Sequence, residues 1–234
     1  MTAAAIKRQM KQMARPAVAT KQQTFYKTGP GEYGEGDVFM GLTVPEQRQI
    51  AKANRYMEFE EIPILLESDT HEHRLVALFI LTLQYDRGGR SHRKSVYDLY
   101  VKHIDRVNNW DLVDSSAYQI VGRHLNGRSR KPLDRWAKSR SLWRRRIAIV
   151  ATYAFIRNNQ FGDTLRIADV LLNDSHDLIH KAVGWMLREV GNRDRAVMEG
   201  FLEPRYNEMP RTMLRYAIER LPEKKRQSYL KGRV

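Results

Sequence analysis

The sequence predicts an all-α protein, an α-solenoid of stacked antiparallel helix pairs, on two observations. From residue 44 onward no segment alternates apolar and polar residues as a half-buried strand does. Apolar spacings of three and four recur instead: Leu75, Leu78, Phe79, Leu83; Ile147, Val150, Ala151, Ala154, Phe155; Ile179, Val183, Met186, Leu187, Val190. Four of the more apolar stretches also align with one another. Arg74-Leu-Val-Ala, Arg146-Ile-Ala-Ile, Lys181-Ala-Val-Gly and Arg215-Tyr-Ala-Ile each place a basic residue before a small-and-aliphatic run, at separations of 72, 35 and 34. A period of about 35 residues with one slot skipped indicates repeated helix pairs of HEAT-like character, presenting basic residues along a concave face. The skipped slot falls at Trp110-Asp-Leu-Val-Asp114.

All 234 residues are expected to form a single such domain, with a basic helical segment at 1–25. Residues 1–31 hold no acidic residue. An acid-poor start also describes a mitochondrial transit peptide, but this one is short of Ser and Arg, which favours a first helix. A Gly-rich loop follows at 28–37. It contains G-x-G-x-x-G at Gly29, Gly31 and Gly34. A dinucleotide-binding turn needs an apolar strand before it and a helix opening after it; Gln22–Lys27 is polar and Gly34-Glu-Gly-Asp opens no helix, so the nucleotide reading is rejected. Thr43 is then a candidate N-cap, with Pro45 in the first turn of the next helix.

A helix beginning after Asn108 or Asn109 puts Trp110 and Asp114 one turn apart on one face. Asp111 suits the positive end of that helix, while Leu112, Val113, Ala117, Ile120 and Val121 supply a buried side. A half-buried Trp beside an ion-paired Asp would satisfy the spacing equally well. Directly after it, residues 123–146 carry ten Lys or Arg against one acid, Asp134. Residues 57–72 do the reverse, with six acids and no Lys or Arg.

Charge is the strongest global signal, with 41 Lys plus Arg against 27 Asp plus Glu and a formal net charge of +14. A polyanion is the expected partner, and a basic block such as 123–146 would hold phosphates without sequence preference. No run of apolar residues is long enough to span a bilayer, so a soluble protein that does not engage membranes is expected. The chain has no cysteine, which excludes disulfides and thiolate chemistry. His176 and His180, and His71 and His73, have metal-like spacings without the partners a zinc site needs, and are read as structural.

Three blocks in order, Trp110-Asp-Leu-Val-Asp114-Ser, Leu142-Trp-Arg-Arg-Arg-Ile-Ala-Ile149 and Lys181-Ala-Val-Gly-Trp-Met-Leu-Arg-Glu189, make the chain resemble the AlkD-type DNA alkylation repair proteins. Phe39-Met-Gly-Leu-Thr-Val-Pro-Glu-Gln-Arg48 is similar too. These are HEAT-like DNA glycosylases that release positively charged alkylated purines. The resemblance implies that Asp114 is the catalytic carboxylate, Trp110 and Trp185 contact the sugar, and Arg146 stands beside the carboxylate and clamps a phosphate. It implies a DNA-backbone contact for Arg188 and an N-terminal aromatic at Tyr26. Arg144, Arg145 and Lys181 are expected to add DNA contacts, though three consecutive arginines cannot share one face. It further implies duplex DNA as partner, no metal or organic cofactor, a monomer, a cytoplasmic, nucleoid-associated location and no base flipping. Trp136 and Trp143 are read as packing residues. Two rivals stand beside the glycosylase: a non-catalytic DNA-structure-binding relative, disfavoured by Asp114, and a protein-binding scaffold, disfavoured by the charge.

Overall fold

The computed structural model describes residues 2–234, and they are helical with no β-strand among them beyond an isolated bridge between Val38 and Thr70. The chain gathers into two compact units, one ending at Ile120 and one spanning Val121–Val234. The first holds α1 (Ala3–Gln12), α2 (Pro16–Phe25), α3 (Val44–Ala53), α4 (Ile62–Leu66), α5 (His71–Arg87), α6 (Arg90–Lys102) and α7 (Trp110–Asp114). The second holds α8 (Arg123–Leu125), α9 (Lys131–Ala137), α10 (Leu142–Ala151), α11 (Tyr153–Ile156), α12 (Gly162–Val170), α13 (Asp177–Arg193), α14 (Arg195–Leu202), α15 (Arg211–Ala217) and α16 (Glu223–Leu230).

One long helix organises each unit. In the first it is α5, against which α3, α4, α6 and α7 pack. Leu75 through Leu81 are buried without a break, because a helix surrounded by neighbours has no polar face to keep. In the second it is α13, packed by α10, α11, α12, α14 and α15. Arg74, Arg146, Lys181 and Arg215 each lie within α5, α10, α13 and α15, the last of them in the final turn of the short α15, so the sequence repeat is a repeat of helices. They do not all present charge outward. Arg74 is buried, its guanidinium held by Asp37 and by the carbonyls of Ser68 and Asp69.

Local signals account for several helix starts. Glu46 accepts from the Thr43 amide at 2.8 Å and from its hydroxyl at 2.7 Å, closing the first turn of α3 behind Pro45. Several segments, α7 among them, are only three to five residues long. Where α13 crosses α15, Gly184 lets the backbones touch: a Cβ there would lie 2.4 Å from the Met213 carbonyl oxygen and 2.5 Å from the Tyr216 Cβ. Gly184→Ala should therefore destabilise the protein by about 1–3 kcal/mol through overpacking, read from its urea midpoint. An unchanged midpoint would mean that the two helices separate freely.

Candidate functional site

Asn109 caps α7, its side-chain oxygen accepting from the Trp110 amide at 2.8 Å. The helix lasts five residues and places Trp110 at its start and Asp114 at its end, both half-buried. Beyond it the backbone turns π-helical over Tyr118–Gly122, a distortion that recurs at functional sites. Leu112, Val113, Ala117, Ile120 and Val121 are all buried, so the sidedness read from the sequence survives the break in the helix. Asp114 lies within electrostatic reach of the buried Tyr100 hydroxyl, which shares a 3.2 Å hydrogen bond with Ser116. Burial, and then the Asp114 charge, push that phenol well above its ordinary range.

The Trp110 indole stands against a cluster of rings, Tyr26, Phe39 and His71, whose centroids lie within 5.0 Å of one another. It stacks on Tyr26 with centroids 5.2 Å apart and planes 11° off parallel. Tyr26 stacks on Phe39 at 4.8 Å, and Phe39 on His71 at 4.4 Å. Tyr26, expected to reach DNA, is only 7% exposed, and its hydroxyl donates to Asp111. It is a support beside the indole, because a buried ring packed against Trp110, Phe39 and His71 has little surface left for a ligand. Burial first, then Asp111, raises its phenol far beyond its ordinary value. The neighbouring Phe25 is the exposed one, at 64%, standing edge-on to Trp110 at 5.8 Å. Only the burial pattern singles out Phe25; in sequence it is one more aromatic beside Tyr26.

His71 also belongs to a buried polar network. His71 Nδ1 is 2.9 Å from Asp37 and its Nε2 is 2.9 Å from Asp111. Burial alone would lower the imidazole pKa, but the two carboxylates outweigh it and hold it at about 9. The ring is therefore an imidazolium at neutral pH, donating from both nitrogens. Asp37 also accepts from Asn109 at 3.2 Å and from Arg74. Burial works against that carboxylate, yet His71 and Arg74 hold its pKa below the ordinary range. Asp111, placed in the sequence reading at a helix dipole, is thus a buried partner of His71. Glu72, from the acidic stretch, is likewise interior and accepts from the amides of Met40, Gly41 and Leu42 at 2.8–3.3 Å.

The remaining expected residues lie in the second unit. Trp185 is half-buried on α13, 6.2 Å from Tyr153 between centroids, and its indole N–H donates to Glu189 at 3.1 Å. Arg188 is held by Glu189 and Glu219. Glu189 therefore fixes both side chains, a link legible only as a four-residue spacing along α13. Lys181 pairs with Asp177 at 2.7 Å. Arg145 is taken by Asp174 and by the carbonyls of Ser139 and Arg140. Arg146, expected to clamp a phosphate, is buried, and a terminal guanidinium nitrogen donates to the Leu178 carbonyl. The packing of α10 against α13 turns its head inward, which leaves the phosphate-clamp expectation without an exposed guanidinium. Arg144 is half-buried at the start of α10. Trp136 is buried and Trp143 half-buried.

Two shallow cavities, of about 320 and 370 Å³, are lined by residues 55–92 and 165–205, and none of the expected site residues lines either. No helix among the described residues is long and apolar enough to cross a membrane.

This is an all-helical protein of the HEAT-like repeat class, and solved structures share its fold. A predicted DNA alkylation repair enzyme from Enterococcus faecalis superposes with a TM-score of 0.68 at 16% identity, over 90% of this chain and 97% of that one. AlkD2 from Streptococcus mutans does so with a TM-score of 0.55 at 15% identity, over 86% and 96%. No curated protein matches the sequence. The family model described as DNA alkylation repair enzyme matches residues 6–221, and the chain belongs to that family.

Proposed function

We propose that this protein is a DNA glycosylase that hydrolyses the N-glycosidic bond of N3- or N7-alkylated purines in duplex DNA and leaves an abasic site. The observation that carries the reading is the pairing of Trp110 and Asp114 on one short helix, the indole backed by a stacked ring and the carboxylate half-exposed, in a chain of this family. As the C1′–N bond lengthens, positive charge grows on the deoxyribose. The Asp114 carboxylate stabilises that charge and takes the proton of the attacking water. The Trp110 face, electron-rich by its quadrupole, meets the same cationic sugar. The bonding electrons pass to the purine, neutralising the charge that the alkyl group had placed on it. The base leaves without being protonated.

Trp185 and Arg188 keep the roles that the family resemblance gives them, a sugar contact and a backbone contact, with Arg144 and Lys181 as further phosphate contacts. Arg145 supports the start of α10, and Arg146 is a positioning residue. The chain needs no metal or organic cofactor for this chemistry, works as a monomer, and acts in the cytoplasm in association with the nucleoid. The test is incubation with N-methylated duplex, scored for abasic sites by alkaline cleavage. Cleavage above the untreated duplex supports the reading. Tight duplex binding without abasic sites turns it into the non-catalytic DNA-binding alternative.

Two further outcomes are expected, one from the charge and one from an exposed ring. Duplex affinity should fall by about 0.9 log units per neutralised phosphate for each decade of salt, measured by fluorescence anisotropy. Affinity indifferent to salt would favour a protein partner. Phe25→Ala should raise KM for methylated duplex several-fold with kcat kept, since the exposed ring borders Trp110 but carries no charge to the sugar. A loss confined to kcat would place Phe25 in the chemistry instead.

A further inference from the structure

The Gly-rich loop at 28–37 takes no part in the chemistry above, yet it is tied down at every turn. Glu32 accepts from the Gly29 amide at 2.9 Å and Glu35 from the Gly31 amide at 3.1 Å. The Gly34 amide donates to the Lys27 carbonyl at 2.9 Å. A Cβ at Gly34 would lie 2.4 Å from the Tyr26 carbonyl oxygen and 3.3 Å from the Asn109 side chain, so glycine alone lets the loop pass there. Three residues later the loop delivers Asp37, buried, to His71.

We propose that the Asp37–His71–Asp111 bridge sets the orientation of Trp110 and Asp114, and that the Gly-rich loop serves to deliver Asp37 to it. His71 and Asp37 are then positioning residues; their effect on turnover rests on the glycosylase reading, their effect on α7 does not. A five-residue helix is too short to hold itself together, so its geometry comes from what it is tied to. Its ties converge on this bridge. Asp111 in its first turn meets His71; Asn109, its cap, meets Asp37; and the Tyr26 ring under Trp110 sends its hydroxyl to Asp111. The groups facing His71 are Asp37 from the loop, Asp111 from α7, Tyr26 next to the end of α2, and Phe39; of the charges on α5, Arg74 pairs with the same Asp37 and Glu72 acts on Tyr26. Removing the central ring leaves two buried carboxylates facing each other, which drives Asp111 and the start of α7 away from α5.

The test uses the full chain with Asp37→Asn and His71→Gln, read by amide hydrogen exchange and by single-turnover release from methylated duplex. Exchange at the α7 amides, which include Val113 to Asn109 and Ser115 to Asp111, should accelerate at least tenfold in both variants, with α13 amides unchanged. The rate at saturating enzyme should fall at least tenfold while duplex affinity stays within twofold. Should His71→Gln fail to fold, Asp37→Asn, which keeps the loop's shape, carries the test. Unchanged α7 exchange in a folded variant overturns the anchor. Faster exchange with wild-type turnover overturns the positioning role. If the wild-type protein releases no purine, the glycosylase reading fails and exchange alone decides the anchor.

Discussion

Asp114→Asn should bind methylated duplex within a few-fold of the wild-type protein and release at least a hundredfold less alkylated purine. The substitution is nearly isosteric, and Asp114 lies at the half-buried end of α7, outside the His71 network that holds the helix. Folding should therefore survive. What disappears is the negative charge that the proposed mechanism sets against the sugar. Preorganised electrostatic contacts of this type are worth about 3–4 kcal/mol in the transition state, a factor of a few hundred in rate, and contribute little to holding a polyanion. Single-turnover release scored as alkali-labile sites measures it, with anisotropy for affinity. Turnover near the wild-type rate in the folded variant would end the assignment of Asp114.

The same electrostatics bounds the substrates. A carboxylate that stabilises the sugar does nothing for the leaving group, so the base must bring its own positive charge. Cationic 7-methylguanine and 3-methyladenine are expected to leave, and neutral uracil and hypoxanthine to stay, in duplexes of equal affinity.

Much of the fold was legible because helical periodicity is a local property. The spacings around Leu75, Ile147 and Ile179 mark α5, α10 and α13, and the roughly 35-residue repeat aligns basic positions that each fall within a helix. The Trp110–Asp114 pair was legible for the same reason, since both lie within one turn. The support beneath it was not. Asp37, His71 and Asp111 stand 34 and 40 residues apart, on a loop and two helices, and nothing in local pattern joins them. A charged residue carries no local sequence mark that tells an interior position from a solvated one. Glu72, Arg74 and Asp111 are interior, because each finds a partner that offsets the loss of water. Arg146, which the family resemblance places beside the carboxylate, is likewise buried, and only the packing of the helices shows its head turned toward the Leu178 carbonyl.

Raising the pH from 6 to 9.5 should cost the fold on the order of 3 kcal/mol through His71 alone. Its folded pKa of about 9 lies above the ordinary 6.5 expected of the unfolded chain. The folded state therefore holds its proton more tightly, and the stabilisation is complete below about 6.5 and gone above about 9. A gap of that size, at 1.36 kcal/mol per unit, gives the stated magnitude. Asp37 acts at the other end of the scale. Its folded pKa is depressed, so its contribution is present above the ordinary carboxylate range and lost as pH falls through the folded value. Between those limits the network is intact. Urea unfolding at pH 6 and pH 9.5 measures the alkaline loss, and His71→Gln separates it from lysines and tyrosines that titrate nearby. The variant should be less stable than wild type at pH 6 and should shed most of the gap by pH 9.5. A difference between the two proteins that stays constant across that range would show that His71 carries no extra proton in the folded state.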